Sequence, residues 1–388
     1  MQRTSGRYEL TSVAGEEARA FVPAPLPPSG PPLTLDPELT ALLDSAQNSL
    51  AGLDLAGAMV PSIEWFLYAF VRKEAVLSAQ IEGTQASLVD LLTYESDAES
   101  GVPAGPDVEE VCNYLEAASY ALGELRRPDG LPISMRLLNG AHHRLMRGVR
   151  GSDKLPGEIR RSQNWIGGTR PGNAVFVPPA PHELPAALSA LERYIHAEDD
   201  LSPLVRAGLV HVQFESLHPY LDGNGRIGRL LVTLLFHQWE LLSQPLLYLS
   251  LFLKRHRQEY YRRLNAVRTD GDWESWIAFF LEGVDTIARE ATETARQLFG
   301  LLSADREKLL ATPSATVMSL RLFELLPRHP ILSAGRAMQL LDVSRPTADK
   351  ALGVLQAAGV LVETTGRKRD RTFSYGAYLD LLRTGTEV

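Results

Sequence analysis

A mainly α-helical protein is what this sequence predicts, interrupted near its middle by a β-hairpin and finished by a smaller unit of helices and two strands. Apolar residues recur at helical spacing through most of residues 36–302. Residues 157–181 break that pattern with glycines, prolines and two strand-like runs. Beyond residue 303 three short helical patterns lead into two more strand patterns. At 388 residues the chain is long for one domain, and with 45% hydrophobic residues it can bury two or three cores.

Composition narrows the class. The one cysteine, Cys112, excludes an internal disulfide framework and any cysteine-based zinc site, so a reducing compartment fits. Residues 1–20 are polar and lack the apolar stretch of a secretory leader. No apolar run reaches the length of a membrane span, the best lying at 245–253. A soluble, cytoplasmic protein without membrane contact is expected. The formal net charge of −8 argues against wholesale nucleic-acid coating, but it is uneven. Residues 314–388 hold ten Lys/Arg and seven Asp/Glu, a local +3, which leaves −11 for the rest.

Residues 1–35 read as an N-terminal arm whose proline-rich end, 22–32, cannot be helical and is extended. Residues 36–106 form a helical region, with helices over 37–49 and 61–81. In the second, Ile63, Phe66, Leu67, Phe70, Val71 and Leu77 make an apolar stripe. It stops at Gly83, a residue suited to the left-handed position just past a helix end. Glu82 then sits in the last turn, where a carboxylate opposes the macrodipole by roughly 0.3–1 kcal/mol, so water or a cation from elsewhere compensates it. Residues 94–106 read as a surface loop.

Helices resume at 108–125 and 134–146. The doublet His142 and His143 points to two sides of the latter helix and makes a poor metal pair. Residues 163–166 and 174–177 are the hairpin strands, joined by 167–173. A lone hairpin among helices has unpaired edges that can grip an extended peptide by strand addition. A plain connecting loop is the equal alternative.

A helix over 202–217 leads into the densest stretch of the chain, HPYLDGNGRIGR at 218–229. Pro219 biases His218 away from the α region, so the helix ends and the histidine projects from a turn. Asp222-Gly223 and Asn224-Gly225 are turn dipeptides whose N–H groups converge without interference from Cβ. Ile227, Leu230, Leu231, Leu234 and Leu235 start a new helix, with Arg226 and Arg229 three apart near its beginning. Loop amides, the positive helix end and two guanidiniums aim at one anion, inferred to be a polyphosphate. No G-x-x-x-x-G-K-[ST] run occurs, so this is not the usual P-loop. Asp222 is the natural Mg²⁺ ligand. His218, with a pKa near neutrality, is the candidate base for a hydroxyl attacking phosphorus.

Residues 247–265 read as one helix and 273–302 as another, with Trp276, Phe279, Phe280 and Ile287 in the core. Tyr260 or Tyr261 could pack on an adenine, although aromatics so placed are more often core. A polar linker is expected at 303–313. Within 314–388, helices at 320–326, 333–340 and 344–358, the last capped by Ser344, precede strands at 359–363 and 371–375. This unit resembles a winged helix-turn-helix. Arg345, Thr347 and Lys350 then lie on its recognition helix and Arg367, Lys368 and Arg369 at its wing tip, as candidate DNA contacts. Protein docking or dimerisation is the alternative use.

The stretch at 218–229 resembles the signature of the Fic family, H-P-F-x-[DE]-G-N-G-R-x-x-R, departing from it only at Tyr220, where Phe is commonest. The resemblance covers roughly residues 36–302, with a catalytic core expected over 107–302. It implies a Fic-type helical bundle that transfers AMP from ATP to a Tyr, Thr or Ser hydroxyl of a protein, itself included. His218 is implied to be the general base and Asp222 the Mg²⁺ ligand. Gly223, Asn224 and Gly225 would form the anion hole for the α- and β-phosphates, and Arg226 and Arg229 would hold the β- and γ-phosphates.

Residues 78–83 match the family's inhibitory pattern [ST]-x-x-x-E-[GN]. Ser78, Glu82 and Gly83 are thereby implied to form an internal brake, with Glu82 pairing to Arg229 and blocking productive ATP binding. The segment holding Ile166, Gly167, Gly168, Val175, Phe176 and Val177 is similar to the flap that aligns the target hydroxyl. Two other functions stay open: a nucleotide-controlled DNA-binding regulator, and removal of AMP with Glu82 positioning water. The sequence does not decide the oligomeric state, a homodimer included.

Overall fold

The apolar stripes read from the sequence fold into a helical body with its most evenly apolar helix at the centre. The computed structural model describes residues 3–13, 15–59, 63–97, 103–366 and 371–388. β1 (Gly6–Val13) and β2 (Glu16–Pro23) pair antiparallel, from Gly6 opposite Pro23 to Val13 opposite Glu16. The expected extended arm is therefore a hairpin ahead of its proline run. Tyr8, Thr11, Val13, Phe21 and Val22 supply the β-branched and aromatic residues that favour strands.

α1 (Pro37–Met59) is capped by Asp36, whose Oδ1 accepts from the Leu39 N–H at 2.8 Å. α2 (Ile63–Ile81), α3 (Leu88–Asp97), α4 (Pro106–Arg126) and α5 (Met135–Leu145) follow. Residues 94–97, expected in a loop, close α3 instead. Glu95 there accepts from Arg72 at 2.8 Å and from the Tyr68 hydroxyl at 2.6 Å. Residues 98–102 of that expected loop lie outside the described residues.

After an irregular stretch come α6 (Leu184–His196), α7 (Pro203–Leu217) and α8 (Asn224–Gln238). Every residue of α7 from Leu204 to Leu217 is buried. A helix enclosed on all sides must satisfy its own polar side chains. His211 meets the Gly228 carbonyl at 3.1 Å and the Tyr260 hydroxyl at 2.8 Å, and Gln213 donates to the Ala24 carbonyl at 2.9 Å.

α9 (Ser250–Arg255) and α10 (Arg257–Asp270) replace the single helix expected over 247–265, parted where His256 has φ −111° and ψ 34°. α11 (Trp273–Ala311) runs along α1 and against α7. Trp276 Nε1 donates to the Gly208 carbonyl at 2.9 Å, and the missing side chain of Gly208 makes room for Ile277, whose Cδ1 would lie 2.9 Å from a Cβ there. Trp276→Ala empties a fully buried site and should cost about 3–5 kcal/mol, read as a fall in the denaturant midpoint; an unchanged midpoint would contradict this packing.

The linker expected at 303–313 is helical through Ala311. Leu302 and Leu309 continue the apolar stripe, and buried Asp305 accepts from the Tyr375 hydroxyl at 2.7 Å. α12 (Val317–Leu325), β3 (Ile331–Ser333), α13 (Ala334–Leu341), α14 (Arg345–Ala357), β4 (Val362–Glu363), β5 (Thr372–Ser374) and α15 (Gly376–Arg383) complete the chain. The three helices were legible. Both expected strands are shorter, and β3 and α15 were unforeseen; β5 lies between β3 and β4, antiparallel to both. The Ser344 hydroxyl meets Thr347 Oγ1 at 3.1 Å rather than capping a backbone N–H. Among the described residues no helix is long and apolar enough to cross a membrane.

Candidate active site

The turn between α7 and α8 is shaped by its own residues. His218 ends α7 in the left-handed region (φ 48°, ψ 61°), leaving the helix as expected but not into the extended region that a following proline favours. Gly223 (φ 75°) turns the chain back into α8. Between them the Asn224 side chain ties the loop, accepting from the Tyr220 N–H and donating to the Tyr220 carbonyl, both at 2.8 Å. Asn224 can thus offer an anion its backbone N–H, while its side chain is committed to the loop. The N–H groups of the first turn of α8 have no intrahelical acceptor and face outward along the positive helix end.

Residues that the sequence did not single out hold this loop. Arg160 is buried and donates through Nε to the His218 carbonyl at 2.9 Å, while its own N–H meets the Pro219 carbonyl at 2.9 Å. His142 receives the Gly157 N–H on Nδ1 at 2.8 Å, so the neutral ring keeps its proton on Nε2 and donates to the Asp222 carbonyl at 3.0 Å. It stacks on Tyr220 with ring centroids 3.8 Å apart, and burial pushes its pKa down to about 4. His142 is a prop for the loop, and only its place in a histidine doublet marked it in the sequence.

Arg229 is buried within α8 and fully directed at the end of α2. Its Nε donates to Ser78 Oγ at 2.9 Å, and one terminal nitrogen donates to the Ser78 carbonyl at 2.9 Å and to Glu82 Oε1 at 2.7 Å. Opposing burial, the Glu82 carboxylate holds the Arg229 guanidinium above its ordinary pKa. Gly83 has φ +98° and closes α2 as expected. A Cβ placed on Gly225 would lie 2.3 Å from Glu82 Oε1. Glu82 therefore rests against the start of α8, where Arg229 and the positive helix end compensate a carboxylate its own helix disfavours.

Arg226 is buried, 3.6 Å from Glu110 and 3.8 Å from Asp222, and its Nε and Nη1 have no hydrogen-bond partner among the described residues. Its guanidinium is thus enclosed beside two carboxylates, with bonding capacity that neither takes up at hydrogen-bond distance. The Asp222 carboxylate is partly exposed, with the Lys154 ammonium 3.2 Å from Oδ2 and the Gly223 N–H 2.7 Å from Oδ1. Burial raises its pKa, but Lys154, the Gly223 N–H and Arg226 together hold it below the ordinary carboxylate value. The Lys154 ammonium thus holds the oxygen that a hard divalent cation would use, and such a cation would bind Asp222 only by displacing it.

His218 differs from its expected near-neutral state. Burial first, then the Arg268 and Arg160 guanidiniums, push its pKa down to about 3, and its Nδ1 is enclosed without a hydrogen-bond partner among the described residues. The ring is neutral at pH 7, and as packed here its low pKa makes it a weak proton acceptor.

The two runs expected as hairpin strands meet at a single bridge, Ile166 to Phe176, with Gly167 and Gly168 at φ +67° and +71°. Val175 is 71% exposed, whereas Phe176 and Val177 face the body. The Arg268 guanidinium covers Phe176 at 3.8 Å, and the Phe21 N–H of β2 takes the Val177 carbonyl at 2.9 Å. One flap edge is thus already used by the N-terminal hairpin. Tyr260 is core, bonded to His211, and does not face a ligand; Tyr261 is 42% exposed beside Arg229 and Glu82. Far from this turn in sequence, Arg345 and Lys350 are exposed on α14, with Arg345 paired to Asp349 at 3.1 Å and Thr347 half-buried. Arg367, Lys368 and Arg369 lie outside the described residues.

Comparison with known proteins bears on the family and the fold. Residues 40–123 match the Fic/DOC family N-terminal region and residues 132–236 the Fic/DOC family. The chain is similar to the protein adenylyltransferase Fic of Culex quinquefasciatus, 31% identical over 128 residues, which are 32% of this chain and 23% of that protein. It thus spans 23% of the length of that curated relative. A Fic family protein from Desulfovibrio desulfuricans superposes with a TM-score of 0.56 at 21% identity, covering 89% of this chain and 98% of the other. A Fic domain containing signaling protein from Bacteroides thetaiotaomicron gives 0.52 at 18%, covering 65% and 95%. At those identities the likeness is one of fold, and it matches the mainly helical architecture. The chain therefore contains a Fic/DOC family domain, its N-terminal region over residues 40–123 and its core over residues 132–236.

Proposed function

We propose that this protein is an adenylyltransferase that moves AMP from ATP to a Tyr, Thr or Ser hydroxyl of a protein, itself included, and that the Glu82–Arg229 pair restrains it. The observation that carries the reading is the position of the Glu82 carboxylate, against Gly225 and bonded to Arg229 at 2.7 Å. A native anion already rests where the polyphosphate would lie, so the start of α8 is built for negative charge.

With Glu82 displaced and the Gly223 N–H released from Asp222 Oδ1, the N–H groups of residues 223–225 would receive the α- and β-phosphates, and Arg226 and Arg229 the β- and γ-phosphates. Asp222 would hold Mg²⁺, which supplies positive charge to the polyphosphate when bound. His218 takes the proton of the target hydroxyl as its oxygen bonds to the α-phosphorus, and pyrophosphate leaves with the electrons of the broken P–O bond. The flap would hold the target chain through its exposed side around Val175, keeping the hydroxyl in line. ATP labelled at the α-phosphate, incubated with Mg²⁺, the protein and a cell extract, tests this: label on protein supports transfer. Label absent from every variant freed of Glu82 refutes it.

The His218 environment adds a pH signature. Its lowered pKa means the base form is lost only as pH falls through the folded value of about 3. The acid limb of kcat/KM assigned to His218 should therefore lie below about pH 5, and a limb near the ordinary histidine value of about 6.5 would show a solvated ring instead.

A second reading concerns the C-terminal unit. The succession α13, turn, α14 and the β4–β5 pair, with Arg345 and Lys350 exposed on α14, supports a winged helix-turn-helix that contacts DNA phosphates. A salt-sensitive shift of a DNA fragment, lost with Arg345→Ala/Lys350→Ala, is its expected result. Removal of AMP with Glu82 orienting water uses the same residues, and release of labelled AMP from pre-modified protein would reveal it.

A further inference from the structure

We propose that Lys254 is a positioning residue for the Glu82–Arg229 pair, acting through Gln80 and the chain segment 384–387; this rests on the reading of that pair as a brake on AMP transfer. The chain of contacts starts inside the inhibitory turn. Gln80 lies between Ser78 and Glu82, and its amide is fully engaged. Oε1 accepts from Lys254 Nζ at 2.7 Å, and Nε2 donates to the carbonyls of Ala86 and Thr386, each at 2.9 Å.

Lys254, near the end of α9, is engaged as completely. Its ammonium has three N–H donors and three oxygens around it: Gln80 Oε1, the Gly385 carbonyl at 3.2 Å and the Glu387 carbonyl at 2.8 Å. One half-buried cation thereby joins α9, the end of α2 and the segment after α15. That segment is seated rather than draped. Thr386 is 1% exposed, and Gly385 (φ +83°) packs so closely that a Cβ would fall 2.4 Å from Leu251 Cδ1.

The last turn of a helix lacks internal donors for its final carbonyls and frays unless something outside it holds on. Here the N–H groups of Glu82, Gly83 and Thr84 close the carbonyls of Ala79 and Gln80 and Arg229 takes that of Ser78, while the Gln80 side chain ties this turn to the rest of the molecule; half of the atoms that grip Gln80 and Lys254 belong to residues 385–387. α15, just before them, packs on α2, α3 and α11, so the C-terminal unit and the inhibitory turn share one lattice of contacts. Displacing 384–387 removes an acceptor from Gln80 and two from Lys254, and the turn carrying Glu82 loosens. Any ligand that binds the C-terminal unit better with this segment released would raise AMP transfer by the same route.

The test uses the full chain with α-labelled ATP and Mg²⁺, comparing the parent, Lys254→Ala, Gly385→Val, Glu82→Gly and Lys254→Ala/Glu82→Gly. Lys254→Ala and Gly385→Val should each raise labelling about tenfold, the equivalent of losing about 1.4 kcal/mol in charge-assisted bonding. Gly385→Val reaches the latch without altering Lys254 or Gln80. The double variant should label no more than Glu82→Gly, because no brake remains to loosen. A merely structural role predicts lower labelling for Lys254→Ala in both backgrounds, and that result overturns the proposal. Parent-level labelling by both Lys254→Ala and Gly385→Val, beside strong labelling by Glu82→Gly, overturns it while leaving the brake intact. If Glu82→Gly itself fails to label, the transferase reading falls and this inference falls with it.

Discussion

Glu82→Gly is expected to raise AMP transfer roughly 10- to 150-fold over the parent chain, measured as label from α-labelled ATP on protein. Arg229 is 3% exposed and Glu82 30% exposed, and they meet at 2.7 Å. A charge-assisted hydrogen bond in that setting contributes about 1.5–3 kcal/mol, which a γ-phosphate must displace before Arg229 can hold it. Glycine removes the carboxylate but leaves the two Ser78 bonds to Arg229, so the guanidinium stays aimed. Glu82→Gln should fall between parent and Glu82→Gly, since the amide keeps the shape and gives up the charge. Equal labelling by the parent and Glu82→Gly would show that the pair is no brake.

His218→Asn in the Glu82→Gly background should lower transfer by about 10²–10⁴-fold while ATP binding, measured by calorimetry, changes little. Asparagine is chosen because His218 sits at φ 48°, a region that Asn visits more readily than Ala. The loop should survive the change. Its backbone is held from outside by Arg160 on the His218 carbonyl and by Asn224 on Tyr220. Loss of activity with binding retained places the deficit in proton transfer; transfer within threefold of the background would exclude His218 as the base.

Long helices were legible because burying one face imposes a period on many residues at once, as in α2 with Phe66 and Phe70 or α11 with Trp276 and Ile287. Short elements were not. β3 and β4 are three and two residues long, too few to show any period, and β1–β2 was hidden behind a proline run that drew the reading toward an extended arm. Residues 303–311 looked polar enough for a linker, yet Asp305 is buried because the Tyr375 hydroxyl, distant in sequence, reaches it. Arg160 escaped notice, and His142 was noted only as half of a poor metal pair, for a similar reason. Their task is to bond backbone carbonyls of another segment, and such a task leaves no motif.

By itself the sequence determined the chemistry of residues 218–229. Pro219 fixes its own backbone and Gly223 and Gly225 permit turns, so His218, Asp222, Arg226 and Arg229 are kept within one short stretch, which Arg160 and His142 from elsewhere then hold in place. The tertiary structure decided what that turn meets. Glu82 and Arg229 are 147 residues apart and Lys254 and Gln80 174; neither pair follows from any periodicity, the first being implied only by a family resemblance and the second by nothing in the sequence. It also decided the state of His218, whose pKa falls to about 3 because packing excludes water and brings Arg268 and Arg160 near. Local conformation is written in each residue's sterics; burial and the partners of a charge come into being only when distant segments pack together.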